Sequence, residues 1–143
     1  MRRIFLFMAG LGLLAQVSFA QRIPESEVPI TCKQAFHKLY PQVKNFFWEK
    51  EGKNFEANWK ESHFDHSAVF TPDGHFVSSE TDIPVGNLPE AARQYARAHH
   101  LTIREASVNA DAQGTKTYEA DIAHGKALIF DATGQYLKTV AGD

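Results

Sequence analysis

The 143-residue chain has one cysteine, Cys32, so no internal disulfide can form. Small exported proteins often lean on disulfides; this one has to be held by a hydrophobic core. Cys32 itself falls on an apolar helical stripe and reads as a small buried hydrophobe. Clustered basic residues are also missing. Past Arg2 and Arg3 no Lys/Arg block occurs, which disfavours nucleic acid as a partner, because phosphate neutralisation needs such clusters. Catalytic signatures are absent as well. The sequence has no G-x-S-x-G elbow, no C-x-x-C, no phosphate-cradling glycine loop and no H-E-x-x-H. No catalytic residue and no cofactor is expected.

Only one long apolar run exists, Ile4 to Val17. It is shorter than the roughly 20 residues a membrane-spanning helix needs. Arg2 and Arg3 precede it, and Ser18-Phe19-Ala20 follows with small residues at the two positions a signal peptidase reads. Residues 1–20 therefore read as a secretory signal peptide removed after Ala20, leaving no stable membrane anchor. The mature chain would be 143 − 20 = 123 residues, with 13 Lys and Arg against 17 acids, a net charge of −4. The expected place is the bacterial periplasm or the exterior, and the expected state is a monomer.

What the sequence does have is a phrase written twice. FTPDGHF, Phe70 to Phe76, returns sixty residues later as FDATGQY, Phe130 to Tyr136. Val28-Pro29 falls on Leu88-Pro89 at the same offset, and Phe55-Glu56-Ala57-Asn58 matches Tyr118-Glu119-Ala120-Asp121 at an offset of sixty-three. Agreement in order and chemistry along the chain predicts two copies of one unit. The boundaries are a lead over 21–27, one repeat over 28–82, a linker over 83–87 and a second repeat over 88–143.

Each copy opens on a helix, with Pro29 and Pro89 at the start, where no backbone N–H is needed. Cys32, Ala35, Phe36, Leu39 and Tyr40 form one apolar stripe, and Pro41 stops it. Ala91, Ala92, Tyr95 and Ala98 do the same in the second copy. Strands follow. Phe55, Ala57 and Trp59 alternate with Glu56, Asn58 and Lys60, and Tyr118, Ala120 and Ile122 alternate with Glu119, Asp121 and Ala123. Period two with one apolar side marks a strand with one buried face. Ser67 to Thr71 and Lys126 to Asp131 read as third strands, and Phe76 to Thr81 and Tyr136 to Val140 as fourth strands. The expected fold class is α+β: two tandem helix-plus-four-stranded antiparallel meanders, up to eight strands, with both helices on one face.

Two sets of residues carry candidate function. The face of the sheet away from the helices would present Phe47, Glu56, Asn58, Lys60, Glu119 and Asp121. An aromatic among polar residues suits an interface anchor, and so polar a face suits a reversible contact. The second set is His63, Asp65 and His66, two imidazoles and a carboxylate within four residues, the donor types of a transition-metal site. On an extended strand residues three apart point to opposite faces, so an exposed polar loop is the plainer reading.

The stretch VPITCKQAFHKLYPQVKNFFWEKEGKNFEANW resembles the beta-lactamase-inhibitor-like, PepSY-like family of exported bacterial proteins. The places that carry the resemblance are Pro29, Tyr40-Pro41, Trp48, Phe55-Glu56-Ala57 and Asp73-Gly74. The second copy departs from it at Leu101 and Val108, where proline and tryptophan would stand. The resemblance implies the same tandem unit and no assigned reaction. The family's name records likeness to a protein inhibitor of beta-lactamase and to domains thought to inhibit proteases. The function expected is a non-catalytic exported module that engages a protein or peptide, as an inhibitor in one version. The alternatives are a periplasmic binder of a small ligand or transition metal, and a structural envelope protein.

Overall fold

The structure, a computed structural model, describes residues 21–142. The signal-peptide reading lies outside them. Nine strands form one antiparallel sheet in strict chain order. They are β1 (Gln21–Ile23), β2 (Phe46–Glu51), β3 (Asn54–Glu61), β4 (Phe64–Phe70), β5 (Phe76–Ile83), β6 (Glu105–Asp111), β7 (Lys116–Ile122), β8 (Lys126–Asp131) and β9 (Tyr136–Ala141). Helix α1 (Ile30–Leu39) stands between β1 and β2, and α2 (Glu90–Ala98) between β5 and β6. The α+β class expected from the pattern is the one observed.

The alternation decides which side of the sheet each helix covers. Phe46, Trp48, Phe55, Ala57, Trp59, Ala68 and Phe70 share one face and meet Cys32 and Phe36 of α1. Ala106, Ala120, Ile122, Leu128 and Phe130 share the same face farther along and meet Ala92 of α2. Residues i and i+2 of a strand point the same way, so burying these sets leaves their sequence neighbours on the uncovered face. Cys32 is fully buried, as the stripe predicts, and its Sγ donates to the Thr71 carbonyl oxygen at 3.0 Å.

The two quoted turns sit beneath the two helix N-termini. Gly74 has φ +87° and Gly134 φ +88°. A Cβ on Gly74 would lie 2.7 Å from the Thr31 carbonyl oxygen, and one on Gly134 2.7 Å from Pro89 Cβ. Thr31 Oγ1 also donates to the Pro72 carbonyl oxygen at 2.6 Å. Only glycine combines that backbone conformation with that approach, which is why the phrase occurs where it does.

Three sequence expectations need correction. The sheet is single and has nine strands, because Gln21–Ile23 pairs with β2 from Gln21↔Lys50 to Ile23↔Trp48. The segment 83–87, expected as a linker, carries regular structure. Ile83 ends β5 and Val85–Asn87 is a 3-10 turn, matching the 3-10 turn Glu25–Glu27 before α1. The third strand begins at Phe64, not Ser67. Ser62 and His63 take φ angles of 51° and 72°, a left-handed pair that closes a two-residue hairpin, so Asp65 and His66 are already in the ladder opposite Lys60 and Trp59.

Candidate functional site

The uncovered face is built row by row from the register. One row runs Arg22, Glu49, Glu56, Val69, Ser78, Asp111 across β1 to β6. The next runs Phe47, Asn58, Ser67, Glu80, Asn109, Thr117 across β2 to β7. A third joins Asp82, Ser107, Glu119, Ile129 and Lys138 across β5 to β9. The face is mainly polar, with Phe47, Val69 and Ile129 as the apolar members of these rows, and most of its charge is negative.

In the first half the acids are crowded. Glu49 and Glu56 are direct cross-strand partners. Glu56 is only 3% exposed. Its carboxyl is pushed up to about 8, by burial first and then by the charges of Glu51, Glu49 and Glu80, against a lowering contact from Ser67. Glu51 is pushed up to about 7, by burial first and then by Glu80. Loss of hydration and like charges both disfavour the carboxylate form, so these groups hold protons near neutral pH. Ser67, 1% exposed, lies against the Glu56 carboxyl, and its contact there favours the carboxylate.

In the second half the face deepens into a groove of about 750 Å3. Glu80, Asp82, Glu105, Asp111, Glu119 and Asp121 line it, with Lys138 as its one cationic side chain. Val77, Ile129, Leu137 and Val140 add apolar wall, and Leu137 is 53% exposed.

The six expected contact residues do share this face, but not on equal terms. Phe47 is half-buried, with the Arg22 guanidinium 4.4 Å over its ring. Glu56 is beneath the surface. Asn58 Nδ2 donates to Glu49 Oε2 at 3.5 Å. Lys60 pairs with Asp65 at 3.2 Å near the strand end. Glu119 and Asp121 lie in the groove, apart from the other four. The candidate metal trio does not converge. His63 is in the turn and Asp65 is on the open face. His66 is on the helix side, stacked on Trp59 at 5.4 Å with Nδ1 3.1 Å from Thr81 Oγ1. Among the described residues no three His, Cys, Asp or Glu side chains are placed to hold a metal ion.

Sequence reasoning missed Glu49, Glu51, Glu80 and the groove. The signal was present for Glu49 and Glu51, which alternate with Trp48 and Lys50 and so had to face away from α1. Glu80 and Asp82 could be placed only by knowing that β5 pairs with β6.

No family model matches the chain, and no curated protein matches it. Solved structures do. A BLIP-like protein from Bacteroides fragilis superposes with a TM-score of 0.69 at 19% identity, over 85% of this chain and 91% of that one. A DUF2874 family protein from Bacteroides uniformis gives a TM-score of 0.72 at 15% identity, over 80% and 89%. A protein of Bacteroides eggerthii assigned to the periplasm gives 0.72 at 18%, over 80% and 88%. The three likenesses are of fold.

Proposed function

We propose that the chain is an exported, non-catalytic binding module that engages a protein or peptide in the periplasm through the open face of its sheet. Residues 1–20 direct export and are removed after Ala20. The mature chain is two copies of one helix-plus-meander unit, joined edge to edge through β5 and β6. The periplasmic setting agrees with that of the Bacteroides eggerthii protein of the same fold. Inhibition of an enzyme is one form such binding takes, consistent with the BLIP-like fold.

The observation that carries this reading is the uncovered face. Both helices lie on one side, and the other side carries side chains from every strand and a groove of about 750 Å3. A continuous polar face with a recess is the form of a reversible, wet interface.

The test is capture from a bacterial envelope extract. Baits are the native chain, an open-face variant (Phe47→Ser with Lys60→Glu) and a helix-side control, Ile30→Glu, at a residue 62% exposed. The expected result is one discrete protein held by the native and control baits and lost by the open-face variant. Equal retention by all three would place binding elsewhere on the molecule.

A further inference from the structure

The groove carries a sharper statement about its occupant, which rests on the binding-module reading above. We propose that it docks a cationic polypeptide segment, one that presents lysine or arginine side chains to Glu80, Asp82, Glu105, Glu119 and Asp121.

Three observations lead there. The first is charge. Six acids line the groove against one lysine, so its potential is negative and attracts positive partners while repelling acidic ones. The second is the wall. Val77, Ile129 and Val140 line the groove beside the acids, and Leu137 is exposed at it. A bare cation has no use for apolar contacts. Lysine and arginine have, because their alkyl stems pack on apolar surface while their charged heads reach polar groups. The third is unmet polar capacity. Ser78 Oγ, at the groove itself, is buried without a hydrogen-bond partner. Buried hydroxyls without partners are uncommon in folded proteins and mark places where a further group completes the network.

A metal ion fits less well. No three acidic or imidazole side chains among the described residues are gathered closely enough, whereas spacing along neighbouring strands matches spacing along an extended peptide.

The experiment is fluorescence anisotropy with a labelled peptide of alternating lysine and alanine, titrated with the native chain at low salt. Alternating glutamate and alanine is the control peptide, and spermine and calcium chloride are the competitors. The lysine peptide should bind and the glutamate peptide should not. Affinity should fall by at least tenfold or so as salt shortens the Debye length from ~30 Å to ~8 Å. Neutralising the groove with Glu105→Gln, Glu119→Gln and Asp121→Asn should weaken binding by roughly tenfold or more. Glu25→Gln, on an exposed residue of the 3-10 turn before α1, should not. Amide exchange on the native chain, with and without peptide, needs no variant and should show protection in β5, β6 and β7. No binding of the lysine peptide at low salt would overturn the proposal, as would full displacement by spermine or calcium at equal charge. A partner captured through the open face that binds the groove-neutralised chain unchanged would leave the module reading standing and remove the cationic occupant.

Discussion

Glu56 stands directly across from Glu49 on the uncovered face of the sheet, with Glu51 and Glu80 close enough to act on its charge. The other polar side chains that share its face from the packed strands are Arg22 on β1, Asn54, Asn58 and Lys60 on β3, Asp65 and Ser67 on β4, and Ser78 and Asp82 on β5. Burial leads the upward shift of its carboxyl to about 8, from an ordinary 4.5. Between those pH values the folded chain holds a proton that the unfolded chain releases. Stability therefore falls as pH rises through this window, by at most ~1.4 kcal/mol per pH unit for each such carboxyl. Glu51 adds to the fall between 4.5 and about 7. Glu56→Gln keeps the shape of the protonated acid and removes its titration. Its stability relative to the native chain should be near zero at pH 5 and clearly positive at pH 8 in urea unfolding. A difference that does not change with pH would mean Glu56 is ionised in the fold.

The two repeated turns make a second prediction. Gly74→Ala and Gly134→Ala each put a Cβ 2.7 Å from an atom at the start of the helix above, Thr31 in α1 and Pro89 just before α2, at a backbone φ near +90°. Both strain and overlap count, so each should cost roughly 2–4 kcal/mol. The overlaps differ: Gly74 meets the rigid Thr31 carbonyl, while Gly134 meets Pro89 Cβ and the Ala92 amide nitrogen. Gly52→Ala is the comparison. It also has positive φ but nothing within 4 Å, so it should cost only about 1 kcal/mol, the strain alone. Equal losses at all three, by chemical denaturation, would show that the helix contact contributes nothing.

The core and the class of the fold were legible because both rest on short-range pattern. Phe55-Glu56-Ala57-Asn58-Trp59 has period two, and one of its faces is apolar, so Ala57 in the core and Asn58 outside follow without any knowledge of partners. Pro72-Asp73-Gly74 announces its turn by residue type. What failed was long-range or conditional. β1 is three residues of lead sequence, QRI, with no pattern of its own, and it is a strand only because β2 offers an edge. The Ile23-Pro24 pair, sixty residues before Ile83-Pro84, was the available sign that both segments end a strand and lead into a 3-10 turn. His63 to His66 read as a loop because three of its four residues are polar, while the ladder opposite Glu61, Lys60 and Trp59 extended the strand through Phe64, Asp65 and His66. The groove was illegible, since it depends on how one half of the sheet meets the other.

Cys32 should be inert while the chain is folded. It is fully buried, and burial raises its thiol above the ordinary value. The reactive thiolate is therefore scarce as well as shielded. A disulfide reagent should react slowly in buffer and stoichiometrically in denaturant, and no covalent dimer should accumulate in air. Fast reaction in buffer would mean that α1 opens readily from the sheet. Cys32→Ser should destabilise the fold by about 1–3 kcal/mol, because a more polar hydroxyl then sits in an apolar core with one acceptor, the Thr71 carbonyl.

The two core clusters share no residue, and this bears on how the chain opens. Phe36 is the hub of the first. Its ring lies 4.6 Å from Phe46, 5.6 Å from both Trp48 and Trp59, and 6.4 Å from Phe70. The second cluster has smaller residues under α2, with Ala92, Ala106 and Ala120 buried around Phe130. Between them runs the β5–β6 ladder, from Ser78↔Asp111 to Ile83↔Ala106, which is mostly backbone pairing. Phe36→Ala should cost ~3–5 kcal/mol, the usual loss for a buried phenylalanine. If the ladder transmits little of that loss, amides of β2, β3 and β4 should exchange faster in the variant, while those of β7 and β8 keep near-native rates, as expected for separate cooperative units. Native-state amide exchange reads this strand by strand. Uniform acceleration across all strands would show that the sheet unfolds as one unit and that the β5–β6 ladder couples the two cores fully.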